Sequence, residues 1–141
     1  MAFDISGPNL TNFMGGATVA SGDSSATVVG PINLLGYQLK SFTLMNQHAT
    51  LTLSGAIVQV NQDHGGYEAG TQLTGGGTGP PPNPGMWENY DTTTFQSLAA
   101  TTARSVAMPA NSLFRWWRIT ATNNQTPSLG VSGWCYAASQ G

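Results

Sequence analysis

Apolar and polar residues alternate along several stretches of the chain, which is the pattern of β-strands with two different faces. The strongest example is 113–121, which reads Leu-Phe-Arg-Trp-Trp-Arg-Ile-Thr-Ala. On a strand, Trp117 and Ile119 share one face of this segment, whereas Trp116 and Arg118 share the other. We therefore predict that 113–121 is the best-defined strand of the protein.

Other segments show the same alternation more weakly. The further predicted strands are 17–20, 26–29, 37–45, 50–53, 57–60, 92–98, 104–108 and 129–137. Both faces of 37–45 are partly apolar, which predicts a strand that is covered on both sides. The best helix candidate is 95–103, but its threonines favour a strand or a turn.

Turn residues separate these strands. The alternation changes phase at Ser54-Gly55, and a glycine at such a point predicts a bulge or a bend. The residues 46–48 (Asn-Gln-His) lie between two alternating segments, so we predict an antiparallel hairpin there. The residues 109–112 (Pro-Ala-Asn-Ser) predict another turn, because proline fixes φ and Asn and Ser tolerate turn geometry.

Short strands separated by turns every 8–12 residues or so predict an all-β protein, an antiparallel β-sandwich that resembles a jelly roll. The Gly- and Pro-rich segment 75–85 is either a linker between two domains or a long surface loop. Because each flank is marginal as an independent core, we predict the loop. The expected organisation is an N-terminal arm at 1–16 and a single sandwich domain at 17–141.

The chain carries very little charge. Only 7% of its residues are charged, against about 25% in average soluble proteins, and its four basic and six acidic residues leave a formal net charge of -2. Phosphate binding needs clustered Lys and Arg, so nucleic acid is not an expected partner. No apolar run approaches the roughly 18 residues of a membrane span, so a membrane is not expected either. The N-terminus lacks the features of a signal peptide, which predicts synthesis in a cytoplasm.

Few residues suggest catalysis or metal binding. Asp63, His64 and Glu68 form the densest titratable cluster, but Gly65-Gly66 within it favours a polar loop. The single cysteine, Cys135, lies in a predicted strand and is expected to pack as a small hydrophobic side chain. No segment has the G-x-S-x-G pattern of a nucleophile elbow. We expect no catalytic residue, no cofactor and no metal site.

Aromatic and arginine residues mark a candidate interface. Arg beside Trp permits cation–π stacking, and both residue types are enriched among residues that dominate binding energy at interfaces. The sequence places such residues close together in 114–118 and again near 87–90. The predicted interface residues are Trp87, Tyr90, Arg115, Trp116 and Arg118.

A second interpretation of the region near Trp87 stays open. Glu88 and Asp91 flank Tyr90 here, and aromatic faces beside carboxylates and amides can line a sugar site. The alternative is that Trp87 and Tyr90 fasten this region to the sandwich or to a neighbouring subunit.

The segment 113–120 and the preceding turn at 109–112, together with the low charge, resemble small virion proteins of tailed bacteriophages. The closest type is the capsid decoration, or cement, protein. The resemblance implies a protein at the capsid surface that binds the major capsid protein or other virion subunits and itself, often as a trimer. It also implies that 1–16 and 75–85 lie on neighbouring subunits. The alternatives are a minor tail or head accessory protein and a carbohydrate-binding β-sandwich module.

Overall fold

A computed structural model shows an all-β protein. The structure describes residues 10–22, 26–62, 84–109 and 114–138, and the account below concerns these. A short 3-10 turn at Pro84–Met86 precedes the fifth of nine strands. The strands are β1 (Leu10–Val19), β2 (Ala26–Asn33), β3 (Leu39–Asn46), β4 (Leu53–Asn61), β5 (Trp87–Asp91), β6 (Ser97–Leu98), β7 (Ala103–Met108), β8 (Trp116–Thr122) and β9 (Leu129–Ala138).

The strands form two antiparallel sheets that pack face to face, which confirms the predicted β-sandwich. Sheet A has the order β1-β9-β3-β7, and sheet B has the order β2-β8-β4-β5, with the short β6 also paired to β4. The chain changes sheet at every connection except those that join β4, β5 and β6. Residues 63–83 are not described. Each sheet contains strands that precede them in the chain and strands that follow them.

The N-terminal arm expected at 1–16 overlaps a strand. Residues 10–16 belong to β1 and pair one by one with β9, from Leu10 opposite Ala138 to Gly16 opposite Ser132. The alternation is hard to see here because Gly15 and Gly16 have no side chains to carry it. Residues 1–9 lie outside the described residues, as does most of the Gly- and Pro-rich segment 75–85.

The core lies between the inner faces of the two sheets. Trp117 is at its centre, with ring centroids 5.7 Å from Phe42, 5.1 Å from Tyr90 and 6.0 Å from Phe114. Fully burying an apolar side chain such as Phe42 stabilises the fold by about 1.5–3 kcal/mol. The faces predicted for 113–121 are confirmed within β8, because Trp117 and Ile119 belong to this core and Trp116 does not, but the strand begins only at Trp116. Cys135 is buried in the same core, as its predicted packing requires.

The glycine bulge is also confirmed. Gly55 has a φ of 73°, a conformation that favours glycine. The pairing of β4 with β8 shifts register between Ser54 and Ile57. Because of this bulge, β4 directs its apolar residues to the core both before and after the change of phase.

The hairpin predicted at 46–48 is wrong, because β3 lies in sheet A and β4 in sheet B. The buried side chain of Asn46 explains this path. Its amide donates hydrogen bonds to the carbonyls of Leu51 (2.8 Å) and Leu98 (3.1 Å), which holds the end of β3 against the start of sheet B.

Two further expectations need correction. Of the segment 92–98, only Ser97–Leu98 is a strand, because the Asp91 side chain accepts hydrogen bonds from Thr93 and Thr94 and forms a turn. The outer face of β3 is not covered throughout, since Leu39 is 50% exposed. The strand β5 has no counterpart in the sequence-based prediction.

Candidate interaction surface

The outer face of sheet B carries a row of four polar and aromatic side chains, one from each long strand. Trp116 on β8 lies opposite Asn33 on one side and Asn61 on the other, and Asn61 lies opposite Trp87. Asn33, Asn61 and Trp116 are buried, whereas Trp87 is half-buried. A row that ends in a partly accessible tryptophan is a candidate contact point for a partner.

The next row places an arginine against this tryptophan. Arg118 reaches across β4, and its guanidinium carbon lies 4.0 Å from the centre of the Trp87 ring. Its Nε donates a hydrogen bond to Oε1 of Gln59 (2.8 Å), and Nε2 of Gln59 donates to Oδ1 of Asn89 (2.9 Å). We call these four residues, Gln59, Trp87, Asn89 and Arg118, the Arg–Trp patch.

Arg118 remains charged in the Arg–Trp patch although burial disfavours its charged form. Burial lowers the pKa of Arg118, but an arginine side chain stays protonated throughout the physiological range. Its cation–π contact with Trp87 contributes about 0.5–2 kcal/mol. Because Gln59 and Trp87 already hold the guanidinium, less side-chain entropy is lost when a partner docks on it.

The five predicted interface residues do not all lie on one surface of the structure. Trp87, Trp116 and Arg118 lie on the outer face of sheet B, but Trp116 is completely buried and can only support the surface from within. Tyr90 faces the core, where its ring contacts Trp117. Arg115 is half-buried just before β8, and its carbonyl accepts a hydrogen bond from the amide of Leu34.

The sugar-site arrangement suggested near Trp87 is not formed. Trp87 and Tyr90 lie on opposite sides of β5, so the two rings make no common platform. The Asp91 carboxylate is used in the following turn, where Oδ2 accepts a hydrogen bond from the Thr94 hydroxyl. Burial raises the pKa of Asp91, but the hydrogen bonds from Thr94 and Thr93 lower it by more, so the net effect is a lowered pKa.

Two members of the Arg–Trp patch were not recognised from the sequence. Gln59 and Asn89 are ordinary polar positions on strands, and no local pattern distinguishes them. They become neighbours of Arg118 only through the register of β4 with β5 and β8. The alternation of 57–60 was the one available signal, since it places Gln59 on the face away from the core.

The outer face of sheet A differs from that of sheet B. Its described side chains are all uncharged, and the larger ones include Leu39 (50% exposed) and Tyr136 (43% exposed). Trp134, Met45 and several Ser and Thr residues complete it. The described side chains of this face therefore offer no cation–π anchor of the kind that Arg118 and Trp87 form on sheet B.

Lys40 and Cys135 are two titratable groups of the interior that influence each other. Burial raises the pKa of Cys135 to about 12, although nearby Lys40 acts in the opposite direction, so the group is a thiol at neutral pH. This agrees with the predicted packing role of Cys135. Lys40 is only 3% exposed.

In the part of the chain that the structure describes, no group of three or more His, Cys, Asp or Glu side chains could hold a metal ion. Asp63, His64 and Glu68 lie outside it. Within the same residues, no helix is long and apolar enough to cross a membrane.

Comparison with known proteins gives no relative. No protein-family model, no curated protein and no solved structure matches this chain.

Proposed function

We propose that this chain is a structural virion protein of a bacteriophage, a capsid decoration (cement) protein that binds and stabilises the head shell. The observation that carries the proposal is the Arg–Trp patch, a half-exposed arginine and tryptophan held together on the outer face of a low-charge sandwich. The partner is the major capsid protein or another virion subunit. The chain also associates with itself.

The composition of the Arg–Trp patch supports contact with protein. Trp and Arg are enriched among the residues whose truncation costs most at interfaces, and such residues cluster where neighbours exclude water. Here Gln59 and Asn89 are neutral neighbours that can form hydrogen bonds with a partner. Interface centres are depleted in charge, and Arg118 is the one charged member of the Arg–Trp patch.

The scarcity of charge across the chain supports tight docking that is insensitive to salt. Immobilising a Lys or Arg side chain costs about 1.5–2 kcal/mol of rotamer entropy, and this chain has only four such residues. Screening by salt weakens interactions between exposed charges most strongly. We therefore expect attachment to the shell to survive about 1 M NaCl, where the Debye length is about 3 Å.

The experiment is to purify particles from cells that carry the gene and to band them on density gradients at low salt and in about 1 M NaCl. Mass spectrometry of the particle band is expected to find the chain under both conditions. Separating heads from tails then distinguishes a decoration protein from a minor tail protein. Absence from particles, or release from heads in high salt, would contradict the proposal.

Variants test the surface itself. Particles that lack the chain are mixed with purified parent protein, with Trp87→Ala or with Tyr136→Ala, and bound protein is measured after sedimentation. Trp87→Ala is expected to bind at least tenfold more weakly, while Tyr136→Ala, an exposed aromatic on the opposite sheet, binds as the parent does. Equal binding by Trp87→Ala and the parent would exclude the Arg–Trp patch.

A carbohydrate-binding module is the second candidate. The half-exposed Trp87 ring beside the amides of Gln59 and Asn89 favours it, because aromatic faces stack on sugars and amides bind hydroxyls. A glycan array probed with the parent protein and with Trp87→Ala distinguishes carbohydrate binding from shell binding. Saturable binding to one glycan that Trp87→Ala abolishes would favour this candidate over shell binding.

A further inference from the structure

Among the described strands, β1, β2, β5 and β7 lie at the edges of the two sheets, and β1 alone of these four lacks a feature that protects against edge-to-edge pairing. An edge strand presents unpaired N–H and C=O groups to other chains, and proteins usually block it with charges, proline, bulges or short length. In sheet B, β2 carries Pro31 and two register shifts, and β5 carries Glu88 and Asp91 and one register shift. In sheet A, β7 is six residues long and carries Arg104.

The strand β1 has none of these features. Its ten residues contain no charge and no proline, and all ten pair with β9 without a register shift. Among the described strands it pairs with β9 alone, so its other edge is open. A long, regular and uncharged edge is a template for another strand.

The hydrogen-bond pattern identifies which groups face the open edge. The amide of Gln47 donates to the carbonyl of Gly130 (2.9 Å), so Gly130 and every second residue of β9 face β3. The intervening residues of β9 face β1, and their partners there include Gly15 and Val19. Consequently Gly16 and Thr18, which alternate with these partners, direct their N–H and C=O groups outward.

We propose that β1 pairs with β1 of a second copy of this chain, antiparallel and about a two-fold axis, so that two A sheets join into one eight-stranded sheet. A two-fold interface brings the same surface together with itself. An uncharged strand meets no repulsion from its own copy, whereas a ring of three would have to pair β1 with a different edge. Because the edges of β2, β5 and β7 are protected, the protein forms a dimer and not the trimer that the phage resemblance implies.

The proposal does not depend on what the protein binds, and its test uses the purified full chain alone. Sedimentation velocity over a concentration series is expected to give about 29 kDa, twice the 14.7 kDa of one chain. Hydrogen exchange should show that the β1 amides become more protected as the dimer forms, whereas the β7 amides do not. A monomer at about 100 μM, a trimer, or a dimer without added β1 protection would each overturn the proposal.

A matched pair of variants locates the contact. Thr18→Pro removes an outward N–H and places a ring on the open edge without removing a bond to β9. Ala107→Pro does the same on β7, where the amide of Asn46 donates to the Thr102 carbonyl and so places Ala107 on the outward side. We expect Thr18→Pro to be a folded monomer and Ala107→Pro a dimer. If Thr18→Pro is folded by circular dichroism and still dimeric, β1 is not the interface; if it is unfolded, the hydrogen-exchange result decides.

Discussion

Gly15 and Gly133 lie directly opposite each other on β1 and β9, and together they let β2 approach sheet A. A Cβ atom on Gly15 would lie 2.5 Å from the Val28 carbonyl oxygen, and one on Gly133 would overlap Cγ2 of Val29. The neighbouring atoms are backbone or belong to a stiff β-branched side chain, so neither can move aside easily. The two sheets can pack closely at this corner only because both residues are glycines, which have no side chains.

Alanine at either glycine should therefore destabilise the fold. We expect Gly15→Ala and Gly133→Ala each to lower the free energy of unfolding by about 1–3 kcal/mol, the usual cost of overpacking a core. Gly130→Ala on the outer face of β9 is the control, since its Cβ would make only an ordinary contact with Gln47. Urea denaturation measures all three, and unchanged midpoints for both inner variants would contradict the close approach.

The Asn123 side chain stabilises one end of the sandwich through hydrogen bonds. Its buried amide donates to the carbonyls of Val19 (2.9 Å) and Pro127 (2.8 Å), and its side-chain oxygen accepts from the amide of Gln125 (2.9 Å). Asn123→Ala removes all three bonds from a buried site and should cost about 1–3 kcal/mol in the free energy of unfolding. The exposed neighbour Asn124 is the control, and Asn124→Ala should change stability by less than about 0.5 kcal/mol. Equal thermal midpoints for the two variants would count against this role.

Lys40 lies inside the sandwich with its amine 5.7 Å from the centre of the Trp117 ring. Burial lowers the pKa of Lys40, although Cys135 acts in the opposite direction, so the charged form is less favourable in the folded chain than in the unfolded one. Lys40→Met should therefore raise the free energy of unfolding at pH 7, by about 1 kcal/mol. The measurement is chemical denaturation at pH 7 and pH 10.

The pH dependence of this effect has a definite sign. The parent gains stability as the pH rises from the lowered folded pKa of Lys40 towards the unfolded value of 10.5, because the unfolded chain binds the proton more tightly there. The advantage of Lys40→Met should thus be smaller at pH 10 than at pH 7. Lys40→Arg keeps its charge and should show no advantage at either pH. A pH-independent advantage would mean that packing, not charge, is responsible.

Asp91 should also make the parent more stable as the pH rises, but in the acid range instead of the alkaline range. Its pKa in the fold is lowered from 3.8, so the stability it contributes is present above that value and is lost as the pH falls through the folded pKa. Asp91→Asn should be less stable than the parent at pH 7 by about 1 kcal/mol, and the difference should close in acid below pH 3.8. Glu88→Gln on the same strand changes the net charge equally and is the control. A difference that persists at pH 2 would attribute the effect to turn geometry alone.

The sequence by itself determined the all-β class and which residues of the best strand share a face. Alternation is a local property, and it correctly placed Trp117 with Ile119 on one face and Trp116 with Arg118 on the other, while the apolar character of Cys135 indicated its packing role. It also located the bulge at Gly55, since a phase change in the pattern needs an extra residue in the strand. Those features depend only on neighbours along the chain.

Only the tertiary structure decided how the strands are arranged and which residues meet. Alternation predicted a hairpin after β3, but the chain crosses to the other sheet at Asn46. The Asn46 side chain stabilises this crossing through hydrogen bonds to residues as distant in the sequence as Leu98. Arg118 meets Trp87 through the register of three strands, while Tyr90 turns inward to Trp117. Pairing register and sheet order depend on contacts between distant segments, which a local pattern does not encode.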